Sequence, residues 1–367
     1  MNGNVDRAAL RHHGDVEALP GLADFAVNVR SDQPPPWLRD RLAAALDRLG
    51  RYPGARDDAD ARASAAARHG RRPDEVLVLN GAAEGFALLP ALKPRLAAVI
   101  HPSFTEPEVA LTDVNVPVER VVLDDYALNP ACVPDEADLV VIGNPTNPTS
   151  VLHPAEAIRA LARPGRVLVV DEAFADTIPG EPESVSGDAV PGLLVLRSLT
   201  KTWSLPGLRA GYALGAPELL ARLGRHRPQW PVNALVLEAV RACCEPGAVA
   251  EAEAVARELE DHRVRFAKAL GELPGVTVAE PARAPFLLIH VPGADRLRER
   301  LREKGFAVRR ADTFPGLTPD HLRVAVRAPD QTAPLLAALR ELLGRVSGVR
   351  VRDSRAEPAP DPEERLP

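Results

Sequence analysis

The most informative stretch of the sequence is SLTKTWSLPGLRAGY, residues 198–212. Its lysine, Lys201, is one of only four in a chain of 367 residues whose basic residues are almost all arginine. An amine that is to react with a carbonyl must lose its proton, so it needs a position that disfavours the charged form. A site just past a buried strand, among hydroxyl groups and near the cation of Arg209, would meet that need. We therefore predict a reactive Lys201; the alternative is a surface lysine on a loop.

Short apolar runs rich in β-branched residues alternate with helix-length segments from about residue 76. Because the runs are continuously apolar rather than alternating, they favour strands that are buried on both faces of a mostly parallel sheet. The sequence therefore predicts an α/β fold. The predicted strands are EVLVLNG, LAAVIHP, VERVVL, DLVVIGNP, RVLVVDEA, LLVLRSL and AGYALG.

The pattern of apolar and charged residues changes after about residue 235. A long Ala/Glu/Arg-rich stretch predicts one extended helix, and FLLIHV, ADRLRERLREKG, FAVRR, HLRVAVR and a last helix to about residue 345 follow it. This order predicts a smaller α+β domain at the C-terminal end. The expected organisation is an N-terminal arm (1–36), a large domain (37–235), a small domain (236–346) and a Pro-, Glu- and Arg-rich disordered tail (347–367).

Composition excludes several classes of function. Acidic residues (51) outnumber basic residues (45), so the chain has no global basic field for nucleic acid. No apolar run approaches the length of a bilayer span, and the N-terminus lacks the layout of a secretory signal. Three cysteines do not make a disulfide framework, so we expect reduced thiols in a cytoplasmic protein, with no membrane partner and no metal site.

A second informative segment is VVDEAFAD, which begins at Val169. Asp171 follows a predicted buried strand, where a carboxylate is costly unless it is paired. A protonated ring nitrogen of a bound cofactor is a suitable partner, because the ion pair keeps the ring able to accept electrons. Alone, the segment also fits a metal-binding or helix-capping carboxylate; its place 30 residues before Lys201 favours the cofactor.

Two further turns and one aromatic residue fit the same site. The rigid turn NPTNPT can aim the amide of Asn147 into a pocket. Ala82 and Ala83 follow a strand and open a predicted helix, whose free backbone N–H groups can bind phosphate. Phe104, after the next strand, could stack on an aromatic ring or simply lie in the core.

Together these segments resemble the fold-type I pyridoxal-phosphate enzymes, and among them the class I and II aminotransferases. The resemblance implies the aspartate aminotransferase-like fold of pyridoxal-phosphate-dependent transferases. It is strongest toward the threonine-phosphate decarboxylases of cobalamin biosynthesis and their relatives, the histidinol-phosphate aminotransferases. The stretches that carry it are LRSLTKTWSLPGLRAGY, DEAFAD with phenylalanine where many transaminases have tyrosine, QWPVNAL, VRRADTFPGL and HLRVAVR.

The resemblance also implies a role for each candidate residue toward pyridoxal 5'-phosphate. Lys201 would form a Schiff base with the cofactor and later move the proton. Asp171 would pair with the ring nitrogen, Asn147 would hold the ring oxygen, and Phe104 would stack on the ring. Tyr52 would reach the cofactor phosphate of a neighbouring subunit, which implies a homodimer with shared sites. The phosphate within the same subunit would be held by Ser198, Arg209, Ala82 and Ala83.

For the substrate, the resemblance implies that Arg323 clamps the α-carboxylate and that Arg309 serves the phosphate side. Asn147 would also contact the substrate, and Asn28 lies in the arm segment that closes over it. Alternation within HLRVAVR puts Arg323 and Leu322 on opposite faces, but the pattern does not say which face is buried. A surface arginine on a strand is therefore the alternative for Arg323.

The chain departs from the family pattern mostly in the arm, which bears on substrate recognition. The decarboxylases carry His-Gly-Gly where this chain has His13-Gly14-Asp15, and Asn-Ile-Asn-Pro-Leu-Gly where it has residues 28–33, NVRSDQ. In the small domain their Ala-Asn-Phe becomes residues 284–286, APF.

Three functions remain open at this point. The cofactor drains electrons from whichever bond at the substrate's α-carbon stands perpendicular to the ring, so the protein chooses the reaction by orienting the substrate. Our first hypothesis is decarboxylation of O-phospho-L-threonine to (R)-1-aminopropan-2-yl phosphate. The alternative is a transaminase for a phosphorylated or small amino acid, such as histidinol phosphate. A minor alternative is a non-catalytic ligand-binding relative.

Overall fold

The computed structural model describes residues 7–347 and forms two mixed α/β units, each built on one sheet. The strands are β1 (Ala23–Phe25), β2 (Val76–Leu79), β3 (Ala97–His101), β4 (Val118–Val122), β5 (Leu139–Gly143), β6 (Val167–Asp171), β7 (Leu193–Ser198), β8 (Gly211–Gly215), β9 (Thr277–Val278), β10 (Phe286–His290), β11 (Phe306–Arg310) and β12 (His321–Ala325). The α-helices are α1 (Arg7–Leu10), α2 (Pro36–Leu46), α3 (Ala55–Arg68), α4 (Ala82–Leu88), α5 (Glu106–Thr112), α6 (Ala155–Arg159), α7 (Pro217–Leu223), α8 (Ala234–Cys243), α9 (Pro246–Gly271), α10 (Ala294–Glu303) and α11 (Pro329–Ser347).

The large sheet has seven strands in the order β2-β8-β7-β6-β5-β3-β4. All neighbouring pairs are parallel except those of β8, which runs antiparallel to both β2 and β7. The seven apolar runs of the sequence are these seven strands, so the predicted α/β fold with a mostly parallel sheet is confirmed.

Burial on both faces explains why the inner runs are continuously apolar, whereas the edge strand β4 (VERVV) exposes Glu119 and Arg120. Along β6, Leu168 and Val170 pack into one core with α3 and α8, whereas Val167 and Val169 pack into a second core with α4 and α7. Successive side chains of a strand point to opposite faces, so a sheet between two helix layers needs an apolar residue at every position.

The small sheet has five strands in the order β1-β11-β12-β10-β9. Its first strand, β1, comes from the N-terminal arm and pairs parallel with β11. Phe25 at the end of β1 lies in the same core as residues of α9, α10 and α11. The arm is thereby tied to the small domain.

The long helix α9 joins the two units. Ala248 and Ala252 near its start pack in the core of the large sheet, whereas Phe266 and Leu270 near its end pack in the core of the small sheet. The boundary predicted at residues 235/236 falls inside α8 (Ala234–Cys243), whose apolar residues pack with the large sheet. The predicted tail lies outside the described residues from residue 348 onward. Within residues 7–347, no helix combines the length and apolarity that a bilayer crossing requires.

Gly211 lets β8 pass close to the start of α4. A Cβ atom at this position would lie 2.6 Å from the carbonyl oxygen of Arg197 and 2.9 Å from the amide nitrogen of Ala82. Both contacts are with backbone atoms, which cannot rotate away. The absence of a side chain here therefore sets the distance between the sheet and the helix N-terminus.

We expect Gly211→Ala to destabilise the protein by about 1–3 kcal/mol, because the added methyl group forces the backbone apart. The measurement is the thermal unfolding midpoint. Gly271→Ala, in α9, is the matched control, since a Cβ there meets nothing within 4 Å. Equal midpoints for the two variants would contradict the close approach at Gly211.

Candidate active site

A cavity of about 350 Å³ opens at the carboxyl ends of the parallel strands, between the large sheet, the small sheet and the arm. Eleven of the twelve residues that the sequence singled out line this cavity. They are Asn28, Ala82, Ala83, Phe104, Asn147, Asp171, Ser198, Lys201, Arg209, Arg309 and Arg323. The twelfth, Tyr52, lies outside it, 71% exposed and stacked on Trp230 with the ring centroids 4.1 Å apart.

Lys201 lies just past β7 with its amine in the cavity. Burial, with the positive charges of Arg323 and Arg209, lowers the pKa of its ammonium from 10.5 to about 8. Its Nζ atom lies 5.7 Å from the ring centroid of Phe174. At pH 7 about a tenth of this amine is therefore uncharged, far more than for an ordinary lysine, and that fraction can exchange protons or attack a carbonyl.

Asp171, the last residue of β6, faces the same cavity. Burial raises the pKa of its carboxyl from 3.8 to about 6, against the opposing effects of the N–H of Ala173 and the charge of Lys201. The amide of Ala173 donates to its Oδ1 atom at 3.1 Å. The second carboxylate oxygen has no hydrogen-bond donor among the described residues. This oxygen can accept a hydrogen bond from a protonated group of a ligand in the cavity, or form an ion pair with it.

Asn147 and Arg323 form one unit. The Nη1 atom of Arg323 donates to the Oδ1 atom of Asn147 at 2.7 Å, and its Nη2 atom donates to the carbonyl oxygen of Ala26. The amide oxygen of Asn147 is thereby engaged, which leaves its NH₂ group to donate into the cavity. Leu322 and Val324 lie in the core of the small domain, so Arg323 points the other way, toward the cavity. The surface alternative for Arg323 is wrong, since it is only 5% exposed.

Arg309 is a second buried arginine in the cavity. Its Nη2 atom donates to the carbonyl oxygen of His12 at 2.5 Å and to the Oγ1 atom of Thr313 at 2.7 Å. Burial lowers the pKa of Arg309 to about 10 and that of Arg323 to about 9. Within residues 7–347, neither guanidinium forms an ion pair with a carboxylate. Two buried cations without a counter-ion make this part of the cavity a site for anions.

The residues predicted to hold a phosphate lie together at the start of α4. Ala82 and Ala83 are its first two residues, so their amides have no intrahelical acceptor. The Ser198 hydroxyl lies 2.7 Å from that of Thr200, and both residues line the cavity. A Cβ on Gly81 would lie 3.1 Å from the Nη2 atom of Arg209, a tight contact, and the positive φ of 77° at this position also favours glycine beside these amides. Amides, hydroxyls and a guanidinium form a suitable cradle for a phosphate.

The cavity also has lining residues whose role the sequence did not reveal. Thr200, Phe314 and the arm residues His13 and Asp15 belong to it. Thr200 lay within the quoted segment and could have been named as a second hydroxyl. His13 and Asp15 appeared only as a departure from a family pattern, since the resemblance placed Asn28, and not these two residues, in the arm segment that closes over the substrate.

The model of the aminotransferase class I and II family matches residues 21–339. The chain belongs to that family. Class I and II aminotransferases are pyridoxal-phosphate enzymes, and the cavity fits the cofactor: it has an amine of lowered pKa, a buried carboxylate with a free oxygen, and a phosphate cradle. The protein is therefore a pyridoxal-phosphate-dependent enzyme, and the alternative of a non-catalytic relative is wrong.

Two relatives and one solved structure show what this chain is similar to. A histidinol-phosphate aminotransferase of Mycobacterium tuberculosis is 54% identical over 335 residues, which covers 91% of each chain. The threonine-phosphate decarboxylase of Salmonella typhimurium is 34% identical over 338 residues, covering 88% of this chain and 91% of the relative. The crystal structure of the histidinol-phosphate aminotransferase from Clostridium acetobutylicum superposes with a TM-score of 0.80 at 23% identity, covering 88% of this chain and 99% of that one. This last match confirms the predicted aspartate aminotransferase-like fold.

We expect Asp171→Asn to stabilise the cofactor-free enzyme while weakening its affinity for pyridoxal phosphate. The folded state holds the Asp171 proton more tightly than the unfolded chain does, so ionisation destabilises the fold as the pH rises from about 4 to above 6. The gain should therefore approach about 3 kcal/mol at pH 7 and vanish below about pH 4.

The measurement is urea unfolding of both proteins at pH 7 and pH 4, together with titration of the cofactor by absorbance. Asp32→Asn, on the exposed part of the arm, is the control for removal of one carboxylate. A stability difference that does not change with pH would contradict the stated cost of burying Asp171.

Proposed function

We propose that the protein is an aminotransferase that transfers the amino group of a small phosphorylated amine of the histidinol phosphate type. The observation that carries the proposal is the pair of buried guanidinium groups, Arg309 and Arg323, in the cavity of Lys201. Such a pair suits a substrate with a phosphate or carboxylate group, because the anion supplies the missing counter-charge.

The relatives support transamination over decarboxylation. From the sequence alone, decarboxylation of O-phospho-L-threonine is the first hypothesis and transamination is the second. The 54% identity to a histidinol-phosphate aminotransferase, against 34% to a threonine-phosphate decarboxylase, favours the second hypothesis. A place in cobalamin biosynthesis has the support of the more distant relative only.

When bound, pyridoxal phosphate supplies the electron sink that stabilises negative charge at the substrate's α-carbon. The protein supplies the proton transfer and the orientation. Lys201, with a pKa of about 8, can take a proton from the α-carbon in its neutral form and return it from its charged form. Asp171 would keep the ring nitrogen protonated, and the NH₂ group of Asn147 would donate to the ring oxygen.

Arg323, Arg309 and Asn28 would orient the substrate. The hydrogen bond from Arg323 to Asn147 couples the position of the substrate anion to the group that holds the ring oxygen. Asn28 is 7% exposed, and both polar atoms of its side chain lack a partner within the described chain. A substrate that satisfied them would offset the cost of burying that amide. Orientation by these groups would select the bond that breaks.

We also propose that the enzyme is a homodimer in which Tyr52 reaches the cofactor phosphate of the neighbouring subunit. Tyr52 and Trp230 form a stacked pair that is largely exposed on one subunit, 71% and 52% respectively. Two exposed aromatic rings in contact are typical of a surface that another chain covers. A cytoplasmic location stays a prediction of the sequence.

The direct test supplies the purified enzyme with pyridoxal phosphate, L-histidinol phosphate and 2-oxoglutarate and measures glutamate formation. Lys201→Ala is the control. Glutamate formation that depends on Lys201 is the expected result. Carbon dioxide release from O-phospho-L-threonine, with no glutamate from histidinol phosphate, would overturn the proposal in favour of the decarboxylase.

We expect Arg323→Lys to lower kcat/KM by about 10- to 100-fold. A lysine cannot contact Asn147, the backbone of Ala26 and an anion at once, and a charge-assisted hydrogen bond contributes about 1.5–3 kcal/mol. Steady-state kinetics of the variant provide the measurement. Arg265→Lys, on the exposed side of α9, is the control, and equal activity of the two variants would exclude Arg323 from the substrate site.

A further inference from the structure

The arm crosses the cavity as a short turn, which we call the arm turn (residues 12–17). His13 contacts Glu106 at the start of α5, with 2.7 Å between Nε2 and Oε1. Glu17 at the other end is 4% exposed and accepts a hydrogen bond of 2.7 Å from Arg298 on α10. The arm turn is therefore fixed to the large domain at one end and to the small domain at the other.

Gly14 allows the arm turn to lie close to the backbone of Ala26 at the edge of the cavity. A Cβ on Gly14 would lie 2.5 Å from the carbonyl oxygen of Ala26 and 3.4 Å from the Nη2 atom of Arg323. That carbonyl oxygen also accepts the hydrogen bond from Arg323. The backbone of Gly14 therefore lies close to the hydrogen bond between Arg323 and Ala26, and the arm turn brings Asp15 to the rim of the cavity.

Asp15 lines the cavity but has no partner for its carboxylate within residues 7–347. Its negative charge also reaches the cavity: it opposes the lowering of the pKa of Lys201, after Asp171, and that of Arg309, after Glu17 and Asp312. Beside the groups that would hold the cofactor, the cavity therefore has two buried cations, Arg309 and Arg323, and at its exposed rim the carboxylate of Asp15. Such an arrangement is complementary to a ligand that has an anion at one end and a hydrogen-bond donor at the other.

We propose that Asp15 determines substrate specificity by accepting a hydrogen bond from a nitrogen of the substrate's side chain, such as an imidazole N–H. The α-amino group cannot fill this role, because it must reach Lys201 and the cofactor. A substrate whose other groups are only phosphate and carboxylate would meet repulsion at Asp15. This inference rests on the proposed function and narrows it to substrates that combine an anion with a nitrogenous side chain.

Two ligands test this proposal, because they differ only in the ring. L-Histidinol phosphate has an imidazole, whereas L-alaninol phosphate has the same amino and phosphate groups with a methyl side chain. The variant is Asp15→Asn, which keeps the shape and removes the charge. Asp32→Asn is the matched control, since it removes an arm carboxylate that does not line the cavity.

The first readout is the dissociation constant, measured by calorimetry on holoenzyme that borohydride has reduced so that no reaction follows binding. We expect Asp15→Asn to weaken binding of L-histidinol phosphate by about ten-fold. Binding of L-alaninol phosphate should stay within two-fold or become tighter, about as for Asp32→Asn. The second readout is transamination by the active holoenzyme, where the loss should fall on KM rather than on kcat.

Equal weakening for both ligands would overturn the proposal, because it would mean that Asp15 only holds the arm turn in place. Unchanged binding of both ligands would overturn it as well. The proposed function fails separately: the wild-type holoenzyme would then form no glutamate from L-histidinol phosphate, whatever Asp15→Asn does to binding.

Discussion

Four positively charged side chains face one partly buried cavity, and the fold must hold them there against the free-energy cost of burying charge. Lys201, Arg209, Arg309 and Arg323 all face this space, and burial lowers the pKa of Lys201, Arg309 and Arg323. Charges that are removed from water without partners are costly, so this arrangement persists only on a rigid scaffold and is relieved by anions. The cofactor phosphate and the substrate anion would supply those charges, which couples the stability of the site to its occupation.

The scaffold gives this rigidity from both sides. The large sheet is buried between two helix layers, and the carboxyl ends of β5, β6 and β7 hold the segments of Asn147, Asp171 and Lys201. The small sheet supplies Arg309 and Arg323 from β11 and β12. Because the arm pairs with β11 through β1 and contacts α5 through His13, it links both units across the cavity.

Much of this could be predicted from sequence because the signals are local. The inner strands of the large sheet are continuous apolar runs; Asp171 ends one of them, and Lys201 lies just past the end of another. The position of the arm could not be predicted in the same way. Its strand β1 has only three residues and pairs with a strand about 280 residues later, so no local pattern of apolar residues indicates this pairing. The role of Asp15 depends on that pairing and on the contacts of His13 and Glu17. The same holds for the buried face of Arg323, which only the packing of Leu322 and Val324 decides.

The most direct test of the charged cavity is the titration of Lys201 itself in the cofactor-free protein. The chain has only four lysines, so protein labelled with carbon-13 at the lysine Cε atoms gives a spectrum of four resonances. Lys201→Met identifies the one that belongs to the active-site amine. We expect this resonance to titrate with a pKa of about 8. Titration at the ordinary lysine value of about 10.5 would contradict it.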